Sequence, residues 1–135
     1  MTFELHPQLA ADTVTVGDLP LCRLLLMNDS QYPWAILVPR REALREIHAM
    51  SEADQQQFWR ESAQLGRALV ALFNGDKLNV AALGNMVPQL HVHHIVRFVS
   101  DPAWPAPVWG RLPAKPYSAE ALTQRVQAIR DVLSL

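Results

Sequence analysis

Apolar residues fall in short blocks separated by polar, proline or glycine punctuation, and the spacing within each block changes along the chain. Residues 13–16, 21–27 and 34–38 are rich in Val, Leu and Ile and too short for helices, so they read as three strands. Gly17-Asp18 closes the first as a turn, the polar loop 28–33 separates the second from the third, and Pro39 ends the third; together they predict an antiparallel meander. A turn of helix is expected over 44–48. Ser51 then opens the clearest helix. Ser51-Glu52-Ala53-Asp54 resembles a capping box with Asp in place of Glu, Phe58, Leu65, Leu69 and Leu72 follow at helical spacing, and Asn74-Gly75 supplies the stop. The chain returns through a strand over 77–83, loops through 84–88, and enters a further strand from 89 to about 99. Residues 101–116 differ from the rest, with Trp104, Trp109 and the prolines Pro102, Pro105, Pro107, Pro113 and Pro116. Proline fixes φ and removes a backbone donor, so this stretch reads as an extended arm. Ser118 caps a last helix carrying Leu122, Val126, Ile129 and Leu133 on one stripe. The order β-β-β-α-β-β-α predicts an α+β fold: a mainly antiparallel sheet with one central helix and a C-terminal helix.

A length of 135 residues suits one domain spanning 1–135, with the Pro/Trp-rich arm at about 100–117 and the last helix at about 118–135. A net charge of −1 argues against a partner that is a nucleic acid polymer, which would call for a basic surface. The single cysteine, Cys22, excludes an internal disulfide and a four-cysteine zinc site, and its apolar surroundings predict a buried, inert thiol. The N-terminus lacks a basic segment followed by an apolar one, and no apolar run approaches the ~20 residues of a membrane span. A cytoplasmic protein without membrane association is expected.

Candidate chemistry concentrates in Gln89-Leu90-His91-Val92-His93-His94-Ile95, which places three of the five histidines in four consecutive positions. Side chains on a strand alternate between faces, so Gln89, His91 and His93 share one face, with Leu90, Val92 and His94 on the other. His94 is then a structural residue pointing away. Arg97 shares the His91 face but lies roughly 20 Å along it, too far for the same contact. Purely structural histidines are one reading. A His-x-His metal site is another, although Val96, Arg97 and Phe98 occupy the places where a carboxylate ligand would be wanted and no third ligand is at hand. The third reading is phosphate chemistry. One imidazole with a free lone pair attacks phosphorus, Gly84 permits close backbone approach, N–H groups of 84–88 and the Asn85 amide cradle the oxygens, and Gln89 and His93 flank His91 as donors.

The run from Gly84 to Ile95 resembles the signature of the histidine-triad (HIT) superfamily, His-φ-His-φ-His-φ-φ with φ apolar, preceded by a phosphate-binding loop. The resemblance covers roughly 19–99. It implies a nucleotide-binding α+β domain, a homodimer, and hydrolysis or transfer at the α-phosphate of a nucleotide through a covalent nucleotidyl-histidine. Under this resemblance His91 is the nucleophile, His93 assists beside the phosphate, and Gln89 stands where the family's first histidine falls, able to donate but not to titrate. Met86 stands where relatives often carry Ser or Thr. Asn28, with Asp29 as the alternative, falls on the ribose-binding position, Asn79 on a polar position near the phosphate, and Leu26 and Leu37 on the base. Gly84, Asn85 and Met86 complete the substrate-binding set. The resemblance requires no cofactor and no protein-bound metal; a divalent cation accompanying a polyphosphate substrate is compatible with it. The rival function is a non-catalytic nucleotide-binding or regulatory module on the same fold. Trp104 and Trp109 read as packing anchors, on an arm that in a dimer would be able to cross to the partner subunit.

Overall fold

The computed structural model describes residues 2–135. Five strands, β1 (Thr13–Asp18), β2 (Cys22–Met27), β3 (Trp34–Pro39), β4 (Lys77–Ala81) and β5 (Val92–Arg97), form one sheet in the order β1-β2-β3-β5-β4. Every neighbouring pair is antiparallel. The helices are α1 (Pro7–Asp12), α2 (Glu52–Phe73) and α3 (Ala119–Val132). The α+β class and the order of the main elements follow the sequence pattern.

The sheet separates two apolar clusters. On one face Leu24, Leu26, Leu37, Val92 and Val96 pack with Phe58, Leu65 and Leu69 of α2 and Ile129 of α3. Gly66 lets α2 lie against β4, since a Cβ there would come within 2.6 Å of the Leu78 side chain. On the other face Leu25, Ile36, Val38 and Ile95 are covered by Leu9 of α1 and by Ala103 and Val108 of the arm. A buried carboxylate ties α2 to β2: Glu61 accepts from the N–H groups of Leu21 and Cys22, each at 2.8 Å, and from Gln57 Nε2 at 2.7 Å. Three donors offset much of the cost of holding that charge away from water. Burial raises the Cys22 thiol well above the ordinary thiol range, which keeps it unreactive.

Several expectations are corrected. α1 has no counterpart in the pattern; His6 caps it, its ring Nδ1 accepting from Gln8 N at 3.0 Å, and Pro7 fills the first position. Gly17-Asp18 belongs to β1, which continues through an irregularity between Thr15 and Gly17 instead of turning. The helical turn near 44–48 is a short 3₁₀ segment, Ile47–Ala49. β4 stops at Ala81 and β5 begins only at Val92, because the Leu90 N–H is taken by Leu44 O rather than by the sheet. Ser51 caps α2 through Asp54 N, but the Asp54 carboxylate reaches out to Arg41, so the capping box is one-sided. Leu72 is exposed. Leu26 and Leu37 face α2 with no exposure and cannot flank a base. The arm folds back over its own sheet, where Trp109 meets the ring of His93, so both Trp104 and Trp109 pack within the chain. Among the described residues no helix is long and apolar enough to cross a membrane.

Candidate functional site

His93 and His94 are neighbours on β5, and alternation sends them to opposite faces. His94, with no exposure, points at α2. Its Nδ1 lies 3.0 Å from Val92 O, a group that can only accept, so Nδ1 carries the proton and Nε2 accepts from the Ser62 hydroxyl at 2.7 Å. His94 therefore ties strand to helix, the structural part expected for it.

His93 points the other way. Trp34 Nε1–H donates to its Nδ1 at 2.9 Å, which leaves the proton of the neutral ring on Nε2. Trp34 and Trp109 both stand edge-on to the ring, with centroids at 5.7 and 5.0 Å. His91, at the mouth of β5, is 5.0 Å from His93 between ring centroids. Its Nδ1 donates to the main-chain oxygen of Gln89 at 2.7 Å, so the lone pair of its neutral ring is on Nε2. An imidazole held by one nitrogen with the other free is the arrangement a histidine nucleophile requires.

Burial, aided by the nearby His91 and His94, pushes the pKa of His93 down to about 3, and burial pushes that of His94 down to about 4, outweighing its bond to Val92 O. Both rings are neutral in the folded protein across the physiological range. An unfolded chain takes up protons on these residues below about pH 6.5, which the native state refuses until about pH 4. Stability is therefore complete above about pH 6.5 and falls as the pH is lowered from there toward 4, with a slope on the order of 2–3 kcal/mol per pH unit from two groups. Urea unfolding at pH 7.5 and pH 5 checks this; equal stabilities would mean that the rings are not buried neutral.

One hollow is lined by Trp34 and Trp109, the rings that touch His93, and another by His91 itself. A cavity of about 450 Å³ is lined by Asp12, Met27, Asn28, Trp34, Trp109 and Leu112, among others. A smaller hollow of about 140 Å³ is lined by His91 together with Arg45, Glu46, Leu83, Gly84 and Pro88. Asn28 and Asp29 both line the larger cavity. The Asn28 side-chain oxygen accepts from Tyr117 N at 2.9 Å, while Asp29 is buried and holds Gln31 and Lys115 main-chain N–H groups. Gly84 adopts a left-handed φ of 70° and turns the loop beside His91. Met86 is 93 % exposed and projects into solvent, with Asn85 exposed beside it.

Two residues of the expected set are placed elsewhere. Asn79 sits opposite Ile95 in the sheet and its oxygen accepts from Arg97 Nη1 at 2.9 Å, so the structure does not bring it to His91. The Gln89 carboxamide is engaged by the N-terminal segment, its Oε1 accepting from His6 N and its Nε2 donating to Glu4 O, each at 2.8 Å. Sequence reasoning missed Trp34, Asp12 and Arg45. Strand alternation places Trp34 on the His93 face only once the β3–β5 register is known, with Ile36 opposite His93. Asp12 and Arg45 carry no local signal.

A five-stranded antiparallel sheet whose fourth strand in space is entered through a His-x-His pair, beside a glycine-turned loop and a nucleoside-sized cavity, defines a histidine-triad type of domain. The HIT domain model matches residues 8–99, and the chain belongs to the HIT family, whose members are nucleotide-binding hydrolases or transferases. Solved structures agree over almost the whole length. A histidine triad protein from Marinobacter aquaeolei VT8 is 51 % identical, with a TM-score of 0.97 over 99 % of this chain and 98 % of that one. One from Bradyrhizobium japonicum is 44 % identical, with a TM-score of 0.95 over 97 % and 98 %. A histidine triad (HIT) protein from Sinorhizobium meliloti 1021 is 39 % identical, with a TM-score of 0.93 over 96 % of each chain. No curated protein matches the chain.

Proposed function

We propose that the protein hydrolyses or transfers at the α-phosphate of a nucleotide through a covalent nucleotidyl-histidine on His91. The observation that carries this reading is the His91 ring, fixed by Gln89 O at Nδ1, which leaves Nε2 free on a ring that lines the smaller hollow beside Gly84 and Arg45. The nucleoside occupies the larger cavity, with Asn28 and Asp12 as partners for the ribose hydroxyls. The His93 Nε2–H and N–H groups of the loop at Gly84 and Asn85 stabilise charge on the phosphoryl oxygens. His91 Nε2 forms a bond to phosphorus as the bond to the leaving group breaks and its electron pair departs with the leaving atom. Water then attacks phosphorus, the P–N bond breaks back to the imidazole, and the proton of that water passes to solvent.

The state of His93 bears on the leaving group. Burial keeps it neutral, and Gln89 cannot titrate. With no acid beside the departing atom, a leaving group that departs as an anion fits better than an amine, which needs a proton. Arg45, on the smaller hollow, is the cation at hand for such a group, with Glu46 beside it. Dinucleoside polyphosphates therefore fit better than nucleoside phosphoramidates, with a divalent cation travelling on the substrate and none required by the protein. A homodimer fits the uncovered β4 edge and the exposed Trp59, Val80 and Leu83, and a reducing cytoplasm fits the free buried Cys22.

Mass spectrometry of protein quenched during turnover of a dinucleoside polyphosphate tests the reading. A nucleotidyl mass on the peptide containing His91 is expected. A nucleotide that binds and dissociates unchanged, with no adduct, would replace the enzyme by a nucleotide-binding module.

A further inference from the structure

The Gln89 side chain bridges residues far away in sequence. Its Oε1 accepts from His6 N and its Nε2 donates to Glu4 O, each at 2.8 Å. Two residues apart on an extended segment, a C=O and an N–H point to the same side. A carboxamide offers an acceptor and a donor on one carbon, so it pairs with such a segment as a facing peptide would. An imidazole cannot do this, because its N–H and its lone pair, on the two nitrogens that flank Cε1, diverge too widely to meet one edge of an extended segment together. At the same residue the main-chain oxygen of Gln89 receives the His91 Nδ1–H at 2.7 Å. The segment held in this way runs directly into α1, whose end brings Ala11 and Asp12 to the larger cavity and whose Leu9 is buried against the sheet.

We propose that Gln89 is a positioning residue: its carboxamide clamps the N-terminal segment, and the backbone so anchored sets the orientation and tautomer of His91 while holding the α1 wall of the larger cavity. The site then needs no titratable group at position 89. Gln89 joins the two halves of the site instead of touching the phosphate. The kinetic part of this inference rests on the hydrolase reading above; the structural part does not.

The test compares Gln89→Ala and Gln89→His with the wild-type full-length chain. Amide exchange in residues 4–10 is expected to rise about tenfold or more in both variants, the size of effect that losing two such bonds carries, while exchange in α2 stays unchanged and reports an intact fold. Nitrogen-15 NMR of the histidines is expected to show His91 as a single Nδ1–H tautomer in the wild type and as a mixture in both variants, a change that loss of stability alone would not produce. For a dinucleoside polyphosphate, KM rises in both variants because the cavity wall loosens. Wild-type protection of residues 4–10 in either variant, or an unchanged His91 tautomer, overturns the clamp. Gln89→His turnover equal to or above wild type also overturns it, since a histidine would then act in the chemistry at that position. Exchange and tautomer are read without turnover, so an inactive wild-type protein would remove the hydrolase reading and leave the clamp standing.

Discussion

His91→Ala is expected to lower the turnover of a dinucleoside polyphosphate by about 10⁴-fold or more, the scale on which removal of a covalent nucleophile acts, while nucleotide affinity stays close to wild type. The two effects separate because the ring lines only the smaller hollow and lends no surface to the larger one, where the nucleoside is proposed to sit. Asp12, Asn28, Trp34 and Trp109 line the larger cavity without it. What is lost is Nε2, the nitrogen that the bond from Nδ1 to Gln89 O leaves free. His93 is no substitute. Trp34 occupies its Nδ1, and its Nε2 carries the proton and so has no lone pair to offer. Single-turnover kinetics beside calorimetric titration measures both quantities. Turnover retained at the wild-type rate would end the covalent route, whereas loss of binding together with turnover would mean that the ring holds the ligand instead of attacking it.

The second large effect is one of stability. Arg97 is 1 % exposed, and its guanidinium makes a two-point pair with Asp101 at 2.8 and 3.0 Å, reaches Asn79 Oδ1 at 2.9 Å and donates to Ala106 O at 2.8 Å. The rings of Tyr32 and Trp104 flank it. Burial alone would raise the Asp101 carboxyl; the Arg97 guanidinium and the N–H groups of Phe98, Trp104 and Ala103 outweigh it and hold the acid down at about 2. Removing the cation strands that carboxylate in the interior, so Arg97→Ala is expected to cost about 3–5 kcal/mol. Arg97→Ala combined with Asp101→Ala is expected to cost clearly less than the two single changes added together, because the double change leaves no orphaned charge. Urea unfolding of the three variants measures this. A loss below about 1 kcal/mol for Arg97→Ala, the scale of an exposed pair, would show that the pair is not structural. Because Asp101 and Ala106 belong to the arm, a lower activity should accompany the lost stability as Trp109 loosens over His93.

Most of the architecture was legible in the sequence because its signals are local. Ser51, Ser118 and Asn74 mark helix ends by bonds to groups within five residues, and the apolar blocks mark strands. Period-2 alternation separated His93 from His94. The failures share a different cause, which is distance along the chain. α1 is six residues long, too short to show a period, and its cap is a histidine. Nothing near Gln89 announces that its amide is met by residues 83 and 85 positions away. The arm read as extended, with Trp104 and Trp109 as packing anchors, but its polar anchor, the Arg97–Asp101 pair, gains its meaning only when Ala106 and Asn79 converge on the same guanidinium. Leu26, Leu37 and Asn79 sit where the register of the paired strands puts them, and no local signal gives that register.

Two histidines side by side on one strand also create a hazard of misreading. A shift of β5 by one position would exchange every side chain between the faces of the sheet, and at the middle of the strand the error would be mild, since an imidazole would still arrive on each side. The ends of the strand are less forgiving. A slipped Arg97 would be driven among Leu78 and the apolar face of α2, away from the carboxylate of Asp101, while Gly75 would lose the neighbour it is shaped for, Val96, whose methyl leaves no room for a Cβ. The arginine that never approaches the phosphate thus acts as a proofreading mark for the threading of the strand. It makes the correct histidine the one that meets Trp34 and Trp109.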